Sequence, residues 1–393
     1  MPLSLQPDKK MFGVTLALCL IGAVMVFSAS AVTAREQYGN GYYFLLRQAL
    51  WLAIGIAGMF ALMNLDYRKL RQPRVVFTVL SITLLMLIAV FFLDRSHATH
   101  RWIRIGPLSL QPSEIAKLAI IFYLAWFIEL RRNKRSFEVP ARTTTAKGAH
   151  ARKILSSRFG VGLNDPLRSI LPVAATLLLV VGLVVAEPDM GTACMISLIA
   201  FVMLYVSGLS MRYVVGAVLA AMPIIYLLIV RVPYRLQRVQ TFFSPGADPQ
   251  GHGFQLLQSL IAVGSGGFSG VGLMESHQKL FFLPEAHTDF IFSIICEEFG
   301  FIGAAIVLAL FAVYGWRGFV TAMKAPDQFG RLLGTGITTM VVGQALINLS
   351  VVLGLLPTKG IPLPFVSYGG SSLLGMLLAT GVLLNISQHA DVT

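Results

Sequence analysis

The sequence predicts an all-α polytopic membrane protein of about ten transmembrane helices. Both termini are expected in the cytoplasm, with one large extracytoplasmic loop that carries a short interfacial helix. Three observations predict this fold class. Of 393 residues, 56% are hydrophobic and only 12% are charged, half the roughly 25% usual in soluble domains. The mean hydropathy is +0.74. The apolar residues also fall in blocks of about the 17 to 25 residues that cross a bilayer as helix. Together these exclude a soluble enzyme, a nucleic-acid-binding module and a secreted disulfide scaffold.

The apolar blocks place spans near 11–31, 44–64, 75–93, 111–129, 169–187, 190–207, 213–230, 288–313, 332–355 and 371–387. The net charge of +13 sets their direction. With the N-terminus inside, 20 of the 31 Lys and Arg fall in cytoplasmic segments and 9 outside, which is the bias that orients membrane proteins. The densest basic run, 130–168, reads as a cytoplasmic loop against anionic membrane lipids rather than as a nucleic-acid site. Lys9 and Lys10 ahead of the first span, with small residues at 28–31, resemble a signal peptide. Nine further spans favour an uncleaved anchor. Cys19, Cys194 and Cys296 lie in apolar segments without metal-ligand spacing. No nucleotide-binding fingerprint and no repeat of 20 to 50 residues interrupts the chain. Residues 1–393 therefore read as a single membrane domain.

Charges inside a membrane are costly and mark either structure or function. Glu114 and Lys117, at i and i+3, share one face near the outer end of the fourth span. They either neutralise one another or line a ligand site. Asp289 opens the eighth span, where a first-turn acid also suits the helix dipole. Glu297 and Glu298 follow about 12 Å further along. Adjacent acids cannot share a face, so at least one should hold the bundle together. Glu187 and Asp189 between the fifth and sixth spans, Lys359 between the ninth and tenth, and the segment 100–104 all fall on the outer side. The large external loop, 231–287, has eight glycines between Gly246 and Gly272 and an apolar stretch, Phe254 to Val263. Ten residues are too few to span, so an interfacial or re-entrant helix is expected there. The glycines suit flexibility or close helix packing better than a phosphate cradle.

Several segments carry a resemblance over nearly the whole chain. They are His100 to Ile103 running into Gln111, Pro112, Ser113, Glu114 and Lys117; EPDMGT at Glu187 to Thr192; DPQGHGFQ from Asp248; LPEAHTDFIF from Leu283; and LLPTKGIPLPFVSYGGSS from Leu355. In this order they resemble the SEDS family (shape, elongation, division, sporulation) of cell-wall proteins. Thr358, Lys359 and Gly360 point to its cell-division branch. Gly253 and Phe254 ahead of Gln255, and SPGADP at 244–249, depart mildly from the common family pattern.

The resemblance implies a ten-helix enzyme of the cytoplasmic membrane, at the division septum, that polymerises lipid II into peptidoglycan glycan strands at the outer face. It maps the family's essential acid to Asp289 and places Glu114 and Lys117 in the outer cavity. The matched segments also put Arg101, Trp102, Arg104, Lys359, Ser367 and Gln255 among the substrate-binding positions. Asp289 would act as general base on an acceptor sugar hydroxyl. Departure of the lipid-linked diphosphate would need cations: Lys117, Lys359, Arg101 or Arg104, or a divalent metal such as Mg or Mn. The implied partners are lipid II, the nascent strand, a class B penicillin-binding protein (a transpeptidase) and other divisome proteins. Two rivals stand beside the enzyme: a lipid II flippase, which needs a polar path through the membrane, and a non-catalytic division scaffold.

Overall fold

The structure is a computed structural model, and it describes residues 6–94, 101–105, 108–137, 166–244, 253–280 and 282–390. His100, most of the 130–168 loop and the Asp248 to His252 part of the glycine-rich motif lie outside the described residues. Twelve α-helices occur among the described residues. They are α1 (Lys9–Tyr38), α2 (Tyr43–Met63), α3 (Pro73–Leu93), α4 (Pro112–Phe137), α5 (Leu171–Ala186), α6 (Met190–Val206), α7 (Met211–Val230), α8 (Pro233–Phe243), α9 (Phe254–Ser265), α10 (Ile291–Lys324), α11 (Gln328–Val352) and α12 (Gly370–His389). One small antiparallel hairpin departs from the all-α expectation. Its strands β1 (Ile103–Ile105) and β2 (Leu108–Leu110) pair Ile103 with Leu110 and Arg104 with Ser109.

Eight of these helices are long and apolar enough to cross a membrane. The other two expected spans are α4, interrupted by Glu114, Lys117 and Glu129, and α6, an apolar helix of 17 residues. The external loop holds α9, as expected, and also α8, which its polar composition hides in the sequence. The two chain ends meet at one end of the bundle. The Asp8 amide donates to Ser387 Oγ at 3.0 Å, Asp8 caps α1 through Lys10 and Met11, and its second oxygen pairs with Arg317 at 2.6 Å. The opposite end, the far end below, is the one that the charge distribution places outside.

Two helices, α11 and α12, form the buried centre. Glycines let neighbours approach them closely, as small residues do where lipid supplies no hydrophobic drive. A Cβ at Gly55 of α2 would lie 2.5 Å from Leu377, and one at Gly381 of α12 would lie 2.5 Å from the Met59 carbonyl. By contrast α7, which contains Pro223, buries only Val214. Its apolar side chains face outward all round, as suits a helix in lipid.

The eighth predicted span needs correction. Helix α10 begins at Ile291 rather than 288 and runs on to Lys324, with a break at Gly300, where φ is 63°. Every residue from Ile291 to Glu298 is buried, whereas exposed apolar residues (Phe301, Ile302, Ile306) follow the break. The first part is thus enclosed in protein and only the second is free to face lipid. Hydropathy cannot separate the two because both are apolar.

A loop repairs the break. Val271 and Gly272 amides donate to the Glu297 and Glu298 carbonyls, both at 3.0 Å, while Phe301 and Ile302 amides donate to Gly267 and Phe268 carbonyls at 3.0 and 3.3 Å. These two carbonyls and two amides at the break thereby find partners, as the low-dielectric interior demands. Only glycines permit the approach: a Cβ at Gly270 would stand 2.2 Å from the Glu298 carbonyl oxygen, and one at Gly266 would overlap the Cys296 carbonyl. The glycine cluster is therefore a packing device. Glu297 and Glu298 both hold it. Glu297 accepts from Ser276 Oγ at 2.5 Å and the His277 amide at 2.9 Å, while Glu298 pairs with Lys279 at 2.9 Å and accepts from Ser28 of α1 at 2.6 Å. Breaking a buried pair of this kind typically costs about 3–5 kcal/mol.

Gly270→Ala adds a side chain both at φ 81° and against a carbonyl. It is expected to lower the thermal unfolding midpoint of the detergent-solubilised protein by several degrees, whereas Gly182→Ala, where a Cβ meets nothing within 4 Å, leaves the midpoint nearly unchanged.

Candidate active site

Asp289 sits at the far end, in the turn that delivers the chain into α10. The segment from Leu283 folds on Glu285, whose φ is 57° and whose carbonyl accepts from the Thr288 amide at 3.1 Å. The helix N-cap is Phe290, with no side-chain cap. Asp289 is therefore not a helix-capping acid, and its carboxylate is available for other work.

Two residues from elsewhere fix its place. Asn348, buried on α11, donates through Nδ2 to the carbonyls of Asp289 and Ile361, both at 2.7 Å. One amide thus pins the acid's backbone to the loop between α11 and α12. In that loop a Cβ on Gly360 would come within 2.8 Å of Asp289 Oδ2. Glycine at 360 leaves the room in which the carboxylate sits.

The charge around Asp289 is mixed. Burial and repulsion from Glu285 and Asp189 push its carboxyl up to about 7, against the attraction of Arg238 and Arg101. A half-buried acid divided between its charged and neutral forms near pH 7 can take up a proton and release it. Arg238 was hidden in the predicted loop. It projects from α8, donating to the Thr358 carbonyl at 3.3 Å. Arg235 and Arg238 stand three residues apart just after Pro233, the spacing of one helical face, which is a signal that could have found it.

Arg101 donates through Nε to the Glu187 carbonyl at 3.0 Å and through Nη2 to the Pro188 carbonyl. Its backbone amide and that of Trp102 both donate to the buried carboxylate of Asp94, at 3.1 and 3.2 Å. Arg101 thereby clamps the α5–α6 turn. Arg104 lies exposed on β1. Asp189 starts α6 and accepts from Thr192, Gln111 and Ser113, which joins it to the start of α4.

Glu114 and Lys117 pair at 2.9 Å, and Lys117 also donates to Gln344 Oε1 at 2.6 Å. Both are buried, and Gln344 continues to the Pro362 carbonyl at 2.9 Å. The pair neutralises itself and braces α4 against α11 and the 353–369 loop, so Lys117 faces its partners rather than the mouth. Lys359, half-buried, donates to Cys194 Sγ at 3.6 Å. Ser367 is turned into its own loop, its Oγ accepting from the Leu363 amide at 2.8 Å. Gln255, at the start of α9, reaches the Pro284 carbonyl at 3.4 Å, ahead of the turn that carries Asp289. Asp289, Arg101, Arg238 and the 358–361 segment are thus brought together, while Lys117 and Ser367 serve the walls.

Among the described residues no three His, Cys, Asp or Glu side chains converge as a metal cage. Asp189 already accepts from three side chains and one amide. The chemistry proposed below runs through this chain's own groups.

An acid and guanidinium groups are thus gathered at one end of an integral membrane helix bundle. Comparison with known proteins makes this specific. A family model described as "Cell cycle protein", covering FtsW, RodA and SpoVE, matches residues 9–392. The chain belongs to that family. It is 40% identical over 372 residues, 94% of this chain and 90% of the relative, to a protein of Trichlorobacter lovleyi named probable peptidoglycan glycosyltransferase FtsW. It is 39% identical over 387 residues, 98% of both chains, to stage V sporulation protein E of Bacillus subtilis. A solved structure described as showing coordination of polymerization and crosslinking by a peptidoglycan synthase complex matches with TM-score 0.72 and 30% identity, covering 97% of each chain. The rod shape determining protein RodA of Thermus thermophilus matches with TM-score 0.66 and 28% identity over 99% of each chain.

Glu187 gives the site a second titrating acid. It is fully buried, and neither carboxylate oxygen has a hydrogen-bond partner. Burial, with repulsion from Asp189, raises it from the ordinary 4.5 to about 8, against the pull of Arg101. The folded chain therefore keeps a proton that the unfolded chain releases. The associated stability is full below about pH 4.5 and is lost as pH rises towards 8. Thermal unfolding measured from pH 5 to pH 8 is expected to show a falling midpoint, and Glu187→Gln should make that fall shallower; an unchanged slope would assign the titration to another group.

Proposed function

We propose that this protein is a peptidoglycan glycosyltransferase of the FtsW type, joining lipid II units into glycan strands at the outer face of the cytoplasmic membrane during septal wall synthesis. The observation that carries this reading is the half-buried Asp289, pinned through its carbonyl by Asn348, given room by Gly360 and held near neutrality by burial and Glu285 against the pull of Arg238 and Arg101. Asp289 takes the proton from the 4-hydroxyl of an acceptor sugar. That oxygen bonds to the anomeric carbon of the donor, whose bond to the lipid diphosphate oxygen breaks. Charge grows on the diphosphate as it leaves, and fixed cations lower the barrier where charge develops. Arg101 and Arg238 supply that field, with Lys359 on the neighbouring loop. Arg101, anchored on two main-chain carbonyls, is already organised for the task. A class B penicillin-binding protein is the partner that this activity calls for, since new strands must be crosslinked.

The flippase reading requires polar groups through the membrane. On α4, however, the eleven residues Leu118 to Ile128 between Lys117 and Glu129 carry no charge, about 16 Å of apolar helix. The scaffold reading leaves the raised pKa of Asp289 and the glycine at 360 without purpose.

Asp289→Asn in protein reconstituted with its transpeptidase partner should abolish polymer from lipid II while preserving the unfolding midpoint; undiminished polymer would remove Asp289 from the role of base. In the unaltered protein the rate should rise with pH through about 7, as Asp289 loses its proton. Because Arg238 holds that value down, Arg238→Gln should move the rising limb to higher pH and also slow the plateau rate. A slower rate with an unmoved limb would show that Arg238 acts on the leaving group alone.

A further inference from the structure

Beside the acid stands an aromatic array that the reaction described above does not use. Tyr38, the last residue of α1, stacks on Tyr43, the first of α2, with ring centroids 3.9 Å apart and planes at 7°. The Arg47 guanidinium lies 5.0 Å from the centroid of Tyr43 and hydrogen-bonds Tyr368. Arg47, Tyr43 and Tyr38 thus form one column in which Tyr38 is the outermost ring. Tyr38 is 51% exposed. The column abuts the site directly: the Phe44 ring meets Tyr38 at 5.7 Å and His287 at 4.6 Å, and His287 is two residues from Asp289. The Tyr368 amide donates to the His287 carbonyl at 3.0 Å. Gln48, one turn along α2 from Phe44, donates to the Ser367 carbonyl at 3.2 Å, so α2 is fastened to the loop that backs the acid.

Aromatic residues at a membrane surface commonly form an interfacial belt, but a belt residue needs neither a stacked partner nor a cation beneath it, and this column has both. Helix α1 has 30 residues, and about 20 suffice to cross the hydrocarbon. Arg35, Glu36 and Gln37 separate Tyr38 from the apolar run, which puts it about 6 Å beyond the end of that run at 1.5 Å per residue. A ring held rigidly there, by stacking on one face and by a cation beneath, loses little freedom on binding a ligand. The ligand must offer a flat apolar face with polar groups around its rim. A pyranose does so: its axial C–H groups meet the electron-rich ring face, and its hydroxyls remain in water.

We propose that the Arg47–Tyr43–Tyr38 column is a saccharide-binding platform that receives the glycan strand beside Asp289, with a sugar ring stacked on the open face of Tyr38. This rests on the glycosyltransferase reading and adds to it a site for the polymer itself. The platform keeps the strand engaged between additions, so its loss shortens the product without slowing the first coupling.

Two measurements test it. In the first, chitotetraose, a soluble β-1,4-linked aminosugar, is titrated into the detergent-solubilised full chain by calorimetry. Binding is expected, weakened at least fivefold in Tyr38→Ala and in Tyr38→Leu, which keeps the bulk without the aromatic face, and retained in Tyr38→Phe. In the second, lipid II is supplied to the reconstituted protein, and Tyr38→Leu is expected to yield strands several-fold shorter at an unchanged rate of formation of the first coupled product. Equal binding by the native chain and Tyr38→Leu, or binding by neither, overturns the platform even when polymer forms. Loss in Tyr38→Phe equal to that in Tyr38→Ala overturns stacking in favour of the hydroxyl. Chitotetraose binding that depends on Tyr38, together with no polymer from the native chain, supports the platform and overturns the glycosyltransferase reading instead.

Discussion

Helix α10 gives up its own hydrogen bonds at Gly300, and a loop from thirty residues earlier in the chain replaces them. This exchange determines where the first part of α10 lies, and through it where Asp289 stands. A continuous helix would have carried Ile291 to Glu298 straight on; the break and the inserted loop instead enclose that stretch in protein. The interior then has to accommodate two adjacent acids. Glu297 is satisfied by amides and a hydroxyl of the loop, and Oε1 of Glu298 by Lys279 and by Ser28 of α1. Desolvated charges are tolerable only with such partners, so the same groups that threaten the core also fasten the loop to it.

Above this foundation the acid is held by neutral contacts and adjusted by charged ones. Asn348 fixes the Asp289 backbone with one donated hydrogen bond, and Gly360 leaves space for the carboxylate. Neither contributes charge. The affinity of Asp289 for its proton is set separately, by burial and by the opposing fields of Glu285, Asp189, Arg238 and Arg101. Position and acidity can therefore be altered one without the other. Glu114 and Lys117, the most conspicuous charges on any span, belong to the support: their pair transmits through Gln344 to the loop around Pro362.

The spans were legible because length and apolarity are properties of single segments. The pairing of Glu114 with Lys117 was legible for a similar reason, since three residues on a helix is a contact distance. Gly300 was not, because one glycine in an apolar run is compatible with an unbroken helix, and the partners that make it a break lie in another part of the chain. Helix α8 was missed because amphipathic outer helices have no hydropathy signal, although its arginine spacing was present. Asn348 has no periodic signature at all; its value lies in touching two carbonyls that the sequence does not show to be neighbours. Motif membership singled out the loop from Leu355 but could not tell which side chains face inward. Lys359 and Ser367 belong to the same motif, yet one lies at the α6 surface and the other closes a turn.

The uncharged stretch of α4 between Lys117 and Glu129 has a further consequence, for the energy of the cell. An acid that gains and loses a proton near pH 7 faces one side of the membrane, and Glu129, joined to Arg71 at 3.1 Å, lies near the end where the chain termini meet. A file of water or hydroxyl groups joining the two along α4 would short-circuit the proton gradient. Leu118 to Ile128 are buried or half-buried throughout, and at bilayer depth each charge excluded from them avoids a penalty of about 2.5–3.5 kcal/mol. Along α4, therefore, no charged group lies between the end that carries Asp289 and the end where the chain termini meet.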